Sequence, residues 1–407
     1  MRILWVKMGG LWPATSGGRM RSLRMLSELS RRHRVTVVTT HGTDDDPEGL
    51  AQELRDCDRI ISIPYVVPKK NSIRFPGAVM RSWMSPYPVD LWKWRVPKVR
   101  QQVSGLLASG SIDLCVADFL VAAANLPRAR AVPVALFEHN VEYLIWKRLS
   151  AVEARAWLRP LFEIEWRKLR RCEAAACARS DLTIAVSEHD RLRLAEIATS
   201  ARTAAIPTGV DTTYFAPDES PPVPARLVFS GSMDWHPNED AILYFIDAIL
   251  PRIRRDVPAA SLTVVGRNPS ARLRAAAERA EVLVTGTVDD VRPYIREAAV
   301  YVVPMRAGGG TRLKLFEALA LAKPVVSTSI GAEGLALAPG REVLIADAPR
   351  EFACAVVSLL RDPQRRLALG LAGRHLVEQR YSWARAAGEF EALCERVLST
   401  SRRSACS

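Results

Sequence analysis

The chain has 407 residues, 48% hydrophobic and 25% charged, with a formal net charge of +13 at pH 7. This balance excludes a disordered polymer, and the length is too great for one compact core, which points to two domains of ordinary size. No apolar run approaches the roughly 20 residues that a bilayer span requires.

The opening MRILWVKMGG has an apolar run too short for a secretory leader and reads as a buried first strand, ILWV (3–6). A glycine-bearing loop through Gly17 and Gly18 follows, then an amphipathic helix near 19–31 and a strand, VTVVTT (35–40). The Asp44–Asp45–Asp46 run lies in the polar stretch HGTDDDPEG and reads as a solvated turn, not a metal site. DRIISIPY, DLCVAD and VALFEH are short apolar runs bounded by turn residues, the rhythm of a parallel sheet. A long helical region covers 141–179, and DLTIAVS (181–187) is a further strand. The Pro-, Gly- and Asp-rich stretch 206–225 reads as an interdomain linker.

A second run of strands begins at RLVFSGSM (226–233) and continues through ASLTVVG, EVLVTG, AVYVVP and PVVST, each followed by a loop or helical pattern. A last helix is predicted over 384–398, packing back on the first domain. Alternating strands and helices imply an α/β chain of two Rossmann-like, doubly wound domains, 1–205 and 226–383, facing a cleft at the carboxyl ends of their strands.

Charge is concentrated in the first half: residues 1–210 hold 32 Lys+Arg against 21 Asp+Glu, and the remainder 25 against 23. No zinc finger, RNP-like motif or helix-turn-helix accompanies it, so nucleic acid is not the expected partner. In RSWMSPYPVDLWKWRVPKVR (81–100), Trp83, Trp92 and Trp94 alternate with Arg81, Lys93, Arg95, Lys98 and Arg100. Such a mixture suits an anionic membrane surface, although the tryptophans would equally pack beneath a surface loop. Seven scattered cysteines, with no CxxC pair and no Cys–His cluster, imply reduced thiols and no structural metal. The expected location is the cytoplasm, or the inner face of the cytoplasmic membrane.

The chemistry is concentrated in VPMRAGGGTRLKLFEALALAKPVVST (302–327). Glycines 308–310 let a ligand approach the backbone after a strand, and Thr311 stands where a helix N-cap is expected. A capping box would place Glu or Gln three residues on, and here that residue is Lys314. Free N–H groups, the positive helix end and the cations Arg312 and Lys314 favour an outside anion such as a diphosphate. Glu317, one turn further in, would repel phosphate and is better suited to ribose hydroxyls. GxGxxG and the Walker pattern are absent.

With these motifs in order, the chain resembles the GT-B glycosyltransferases of the large retaining family 4, in particular the bacterial branch that builds exopolysaccharide or lipid-linked glycans. IPTGVDTTYFAP, FSGSMDWHPNEDAI, LTVVGRNP, VLVTGTVDDV and the 302–327 stretch carry the resemblance, which spans nearly the whole chain. It implies a hexosyl transfer from a UDP- or GDP-sugar to a glycan or lipid-linked acceptor, with no cofactor and no metal. It implies that Gly266, Arg267, Val288 and Glu317 hold the nucleotide sugar, joined by Gly231, Gly309, Gly310, Thr311, Arg312 and Lys314 as read from the residues themselves. Gly17 and Gly18 would let the first loop reach the donor. His139, in FEHN, would reach the donor sugar from the other domain, while Glu138 would orient it or face solvent. Retention would proceed without a protein nucleophile, the leaving phosphate taking the acceptor proton.

Two departures stand out. The family's first glutamate is replaced by Gly309, and its arginine and lysine after the first donor-domain strand by Ser232 and Pro237. Arg312 and Lys314 are expected to supply the missing charge, with His236 a weaker third. The alternatives are a catalytically silent nucleotide-sugar or glycan-binding partner and a UDP-sugar 2-epimerase on the same fold.

Overall fold

A computed structural model describes residues 1–68, 75–152, 158–218, 220–307 and 313–405. The chain forms two compact units, one of residues 1–208 with the C-terminal helix Trp383–Ala405, the other of residues 209–382.

The first unit is built on seven parallel strands: β1 (Arg2–Lys7), β2 (Arg34–His41), β3 (Arg59–Pro64), β4 (Leu114–Asp118), β5 (Val134–Glu138), β6 (Leu182–Ala185) and β7 (Thr203–Ala205). Their order is β3-β2-β1-β4-β5-β6-β7. The central strands are buried along their length because helices cover both faces, so they carry continuous Val, Ile and Leu in place of an alternating pattern. One face buries Trp5, Val116 and Phe137 beneath helix Gly17–Ser30 and the C-terminal helix; the other buries Leu4, Val6, Cys115 and Leu136. Phe390 of the C-terminal helix packs on Trp5 and Phe137, with ring centroids 5.6 and 5.3 Å away.

The second unit has six parallel strands: β8 (Arg226–Ser230), β9 (Ser261–Val265), β10 (Leu283–Val284), β11 (Val300–Val303), β12 (Val325–Ser327) and β13 (Leu344–Ile345), ordered β10-β9-β8-β11-β12-β13. β7 and β13, of three and two residues, were not predicted, because so short a segment has no readable periodicity. The 141–179 region is two helices, Glu142–Val152 and Arg159–Arg179, and Pro160 suits the first turn of the second.

Residues 206–225 do not stand apart as a linker. Ile206 is buried in the first unit and Val210 in the second, where its N–H donates to the Tyr381 carbonyl. Nor is the triple aspartate merely solvated. Asp45 pairs with Arg19 at 2.6 Å, and Asp46 caps helix Pro47–Glu53 by accepting from the Gly49 N–H. Trp94 faces Tyr65 and Gly9 rather than solvent, so only part of the 81–100 aromatic stretch is displayed. Among the described residues six cysteines are free thiols, no helix is long and apolar enough to cross a membrane, and no three His, Cys, Asp or Glu side chains are grouped to hold a metal ion.

Candidate active site

In the first unit the register brings the polar residues together. Lys7, the last residue of β1, lies opposite Asp118, the last of β4; Asp118 lies opposite Phe137 of β5, and His139 follows that strand. β2 and β3 lie to one side of β1 and β4–β7 to the other, so Lys7 and Asp118 flank the point where the sheet order reverses. Ligand crevices open there at the carboxyl ends of parallel strands.

All three side chains are buried. His139 Nε2 lies 2.9 Å from Asp118 Oδ1, and Lys7 Nζ lies 3.6 Å from the same oxygen. Trp5 Nε1–H donates to Asp118 Oδ2 at 2.9 Å. Burial pulls the imidazole down to about 3, against the pull of Asp118 and helped by Arg21 and Lys7, so His139 is neutral. A carboxylate only accepts, which assigns the ring proton to Nε2 and leaves Nδ1 an acceptor. Burial raises the Asp118 carboxyl, but Lys7 and His139 outweigh it and hold it at about 2. Burial also lowers Lys7 to about 8 despite Asp118.

Phe119 locks this arrangement. Its backbone adopts φ 73°, a conformation that costs a non-glycine residue about 1 kcal/mol or more. Its ring lies 3.9 Å from the His139 ring and 3.6 Å from Lys7 Nζ. A Cβ on Gly18 would come within 2.8 Å of Phe119 Cζ. The Gly18 opening is therefore filled by the protein's own aromatic ring, beside His139. Gly17 is the exposed first residue of helix Gly17–Ser30, which Ser16 caps.

Glu138 neither orients His139 nor faces solvent. Strand alternation turns it to the opposite face of the sheet, where it is buried near Glu173 and Glu142. Burial and these two neighbours raise it well above the usual carboxyl range. Glu173 accepts the Glu142 and Tyr143 N–H groups at 2.7 and 3.2 Å, capping helix Glu142–Val152, and burial with Glu142 raises it to about 8.

In the second unit the sheet reverses between β8 and β11. Ser230 ends β8 with its Oγ 2.6 Å from the Tyr301 hydroxyl, and Gly231 follows. Lys314, second residue of helix Leu313–Ala320, sends its ammonium to this loop. Nζ donates to Asn238 Oδ1 at 2.6 Å and lies 4.1 Å from the Phe229 ring centroid. A Cβ on Gly231 would come within 2.6 Å of that ammonium, and one on Gly266 would overlap the Gly231 carbonyl. Both glycines are thus required for the close approach of their loops. Arg267 crosses between them, donating from Nε to Ser232 Oγ at 2.7 Å and lying 3.6 Å from Asp234.

Glu317 is half-buried on the same helix, and desolvation raises its carboxyl to about 7 against the pull of Lys314. Val288 packs partly buried against the core of this unit, and His236 is the exposed first residue of helix His236–Tyr244. Gly309, Gly310, Thr311 and Arg312 lie outside the described residues. Arg306, ahead of them, is held by Asp240 at 2.5 Å and stacks on Tyr244.

The predicted residues thus form two groups: Gly18 with His139 in the first unit, and Gly231, Gly266, Arg267, Lys314 and Glu317 in the second. Sequence reasoning missed Lys7, Asp118, Phe119 and Asn238. The first two carried a signal, a charged residue closing an apolar parallel strand.

Two family models match this chain: glycosyl transferases group 1 over residues 224–362, and Glycosyltransferase Family 4 over residues 15–214. The chain belongs to the family 4 glycosyltransferases. This glycosyltransferase is 29% identical over 228 residues to a GDP-mannose-dependent alpha-(1-6)-phosphatidylinositol monomannoside mannosyltransferase of Mycolicibacterium smegmatis. That match covers 50% of this chain and 59% of the relative. It is 22% identical over 369 residues to an uncharacterized 44.6 kDa protein in the cps region of Klebsiella pneumoniae, covering 88% and 90% of the two chains. Among solved structures, sucrose-phosphate synthase from Thermosynechococcus elongatus superposes with a TM-score of 0.76 at 17% identity, covering 98% of this chain and all of that one. Anabaena HepE in complex with UDP gives 0.65 at 12% identity, covering 97% of this chain and 100% of that one. These structures share the GT-B fold.

Proposed function

We propose that this glycosyltransferase moves a hexosyl group, with retention of anomeric configuration, from a nucleoside-diphosphate sugar to a glycan or lipid-linked acceptor in cell-surface polysaccharide biosynthesis. The observation that carries this reading is the Lys314 ammonium, delivered to the loop after β8 by a helix that also bears Glu317. A departing diphosphate needs a cation where its charge develops. Lys314 supplies one at the loop where Ser232 and Pro237 cannot, and Arg312 precedes it in the chain. Glu317, raised to about 7, accepts hydrogen bonds from ribose hydroxyls in its carboxylate form. No metal is required in this scheme.

His139 takes part as a neutral imidazole. With its Nε2 proton held by Asp118, it offers the Nδ1 lone pair to a hydroxyl of the bound sugar, and Asp118 fixes the ring for that contact. The acceptor proton passes to the leaving phosphate. The names of the relatives support the donor class and bring both bases into consideration: GDP-mannose for the mycobacterial enzymes, UDP for HepE. The similarity to the Klebsiella protein supports the cell-surface assignment.

The test is thermal stabilisation by UDP, GDP, ADP and their sugars, followed by nucleoside diphosphate release with acceptor present. A ligand at 100 times its Kd stabilises the folded state by about 2.7 kcal/mol. One base family should stabilise the parent and fail on Lys314→Ala and Glu317→Ala. Stabilisation with no turnover would favour a silent sugar-nucleotide-binding partner, and no stabilisation would overturn the donor site.

A further inference from the structure

We propose that the first unit holds an anionic membrane lipid in a cavity separate from the His139 cluster. The cavity, of about 360 Å³, lies between helix Leu120–Ala123, the loop that follows it and the C-terminal half of helix Arg159–Arg179. This volume is within the range of small-molecule sites, roughly 300–1,000 Å³. Leu91, Leu120, Val134 and Ala176 give it a buried apolar floor. Six cations surround that floor, Arg100, Arg128, Arg130, Lys168, Arg171 and Arg179, and no carboxylate is among its lining residues.

Among the described residues, Arg130 alone of the six is in an ion pair, with Asp181 at 3.1 Å, and Glu165 attracts Lys168 at longer range. Lys168 donates to the Ser82 and Ser85 carbonyls at 3.0 and 3.1 Å, and Arg100 to the Ala124 carbonyl at 3.2 Å, which leaves both positive. Among the described residues no carboxylate comes within ion-pair distance of Arg128, Arg171 or Arg179. An apolar floor with guanidinium groups at its rim matches an amphiphile whose hydrocarbon enters and whose phosphate stays at the mouth.

The neighbourhood points to a bilayer as the source. Trp83 and Met84, 50% and 85% exposed, are flanked by Ser82 and Ser85, whose carbonyls hold Lys168. Ile164, 46% exposed, precedes Lys168 by one turn of its helix. Exposed tryptophan beside cations suits the headgroup layer. Val134 opens β5 while His139 follows its far end, about 16 Å along the strand at roughly 3.3 Å per residue. At the other end of the cavity Leu120 adjoins Phe119 of the His139 cluster. The floor residues, however, belong to the core on one face of the sheet, whereas the His139 ring packs on Phe137 of the other face. The cavity is therefore separate from that ring and independent of the donor used.

The test measures binding of dioctanoyl phosphatidylglycerol, dioctanoyl phosphatidylcholine and inorganic phosphate to the full chain by titration calorimetry, without nucleotide. Its failure would therefore leave the transfer reading intact. Phosphatidylglycerol should bind ~10-fold or more tightly than either alternative. Arg128→Gln/Arg171→Gln/Arg179→Gln should weaken it by a similar factor, and so should Ala175→Trp, which fills the mouth without changing charge. Circular dichroism of both variants should match the parent. Equal binding of phosphatidylcholine, equal binding of inorganic phosphate, or undiminished binding by a folded Ala175→Trp variant would each overturn the proposal.

Discussion

Replacing Asp118 with asparagine keeps the shape of the side chain and an oxygen for Trp5, but removes the charge that faces Lys7 and His139. The size of the effect follows from the pair. Asp118 at about 2, against an ordinary 3.8, represents about 2 kcal/mol of native stability, present above pH 4 and lost as pH falls through 2. Lys7 at about 8, against 10.5, represents a penalty of about 3 kcal/mol below pH 8, relieved as pH rises to 10.5. Intact, the pair is close to break-even. Broken, it leaves one buried charge uncompensated, at a cost of about 3–5 kcal/mol. At about 2–4 °C per kcal/mol for a unit of this size, Asp118→Asn should lower Tm by at least about 6 °C. Lys7→Met should do the same and remove its share of the rise in stability between pH 8 and 10.5, leaving the share of Lys323, which burial in the second unit also lowers to about 8. The double variant should return to within about 1 kcal/mol of the parent. Calorimetry of all four proteins reads the coupling directly, and a double variant as unstable as the two singles summed would refute the reasoning.

Further expectations concern the two groups separately. His139→Ala should lower kcat by ~10-fold or more while leaving nucleotide-induced stabilisation unchanged, read by initial rates and thermal shift on one preparation. Burial raises Glu317 to about 7, so if its carboxylate accepts from ribose as proposed, nucleotide affinity should fall as pH drops from 8 to 6. Glu317→Gln should flatten that dependence in calorimetric titrations. Gly18→Ala should cost about 1–3 kcal/mol in chemical denaturation, since its methyl group enters the space of the Phe119 ring. Arg312→Ala/Lys314→Ala should lose most diphosphate affinity, and a double variant that binds as the parent does would remove the proposed replacement of charge.

Much of the fold was legible because parallel strands buried on both faces leave short apolar runs with turn residues between them. VTVVTT lies within β2, and DLCVAD and VALFEH contain β4 and β5. The candidate site was legible only where a motif accompanied the residue, as for His139 in FEHN and Glu317 in LKLFEAL. Asp118 and Lys7 sit 111 residues apart, and only the β1–β4 register makes them neighbours. Asn238 escaped for the same reason: its amide meets Lys314 across 76 residues. Phe119 gave no signal at all, because a positive φ at phenylalanine is imposed by packing. For the tryptophans of 81–100 the sequence suits display and packing beneath a loop equally, and the Trp94 ring packs, filling the space beside Gly9.

The C-terminal helix has a consequence for biosynthesis. Phe390 completes the aromatic packing around Trp5 and Phe137, the latter two residues from His139, and Glu391 anchors the helix through Arg32 and His33 at 2.6 and 2.8 Å. The ribosome must make all 174 residues of Gly209–Ser382 before this helix emerges. At about 5–20 residues per second, the first unit waits roughly 9–35 s with the seat of that helix uncovered. Trp5, Phe137 and the apolar face around them are then exposed in the nascent chain, a surface that a chaperone would shield and that a premature stop would leave open for good.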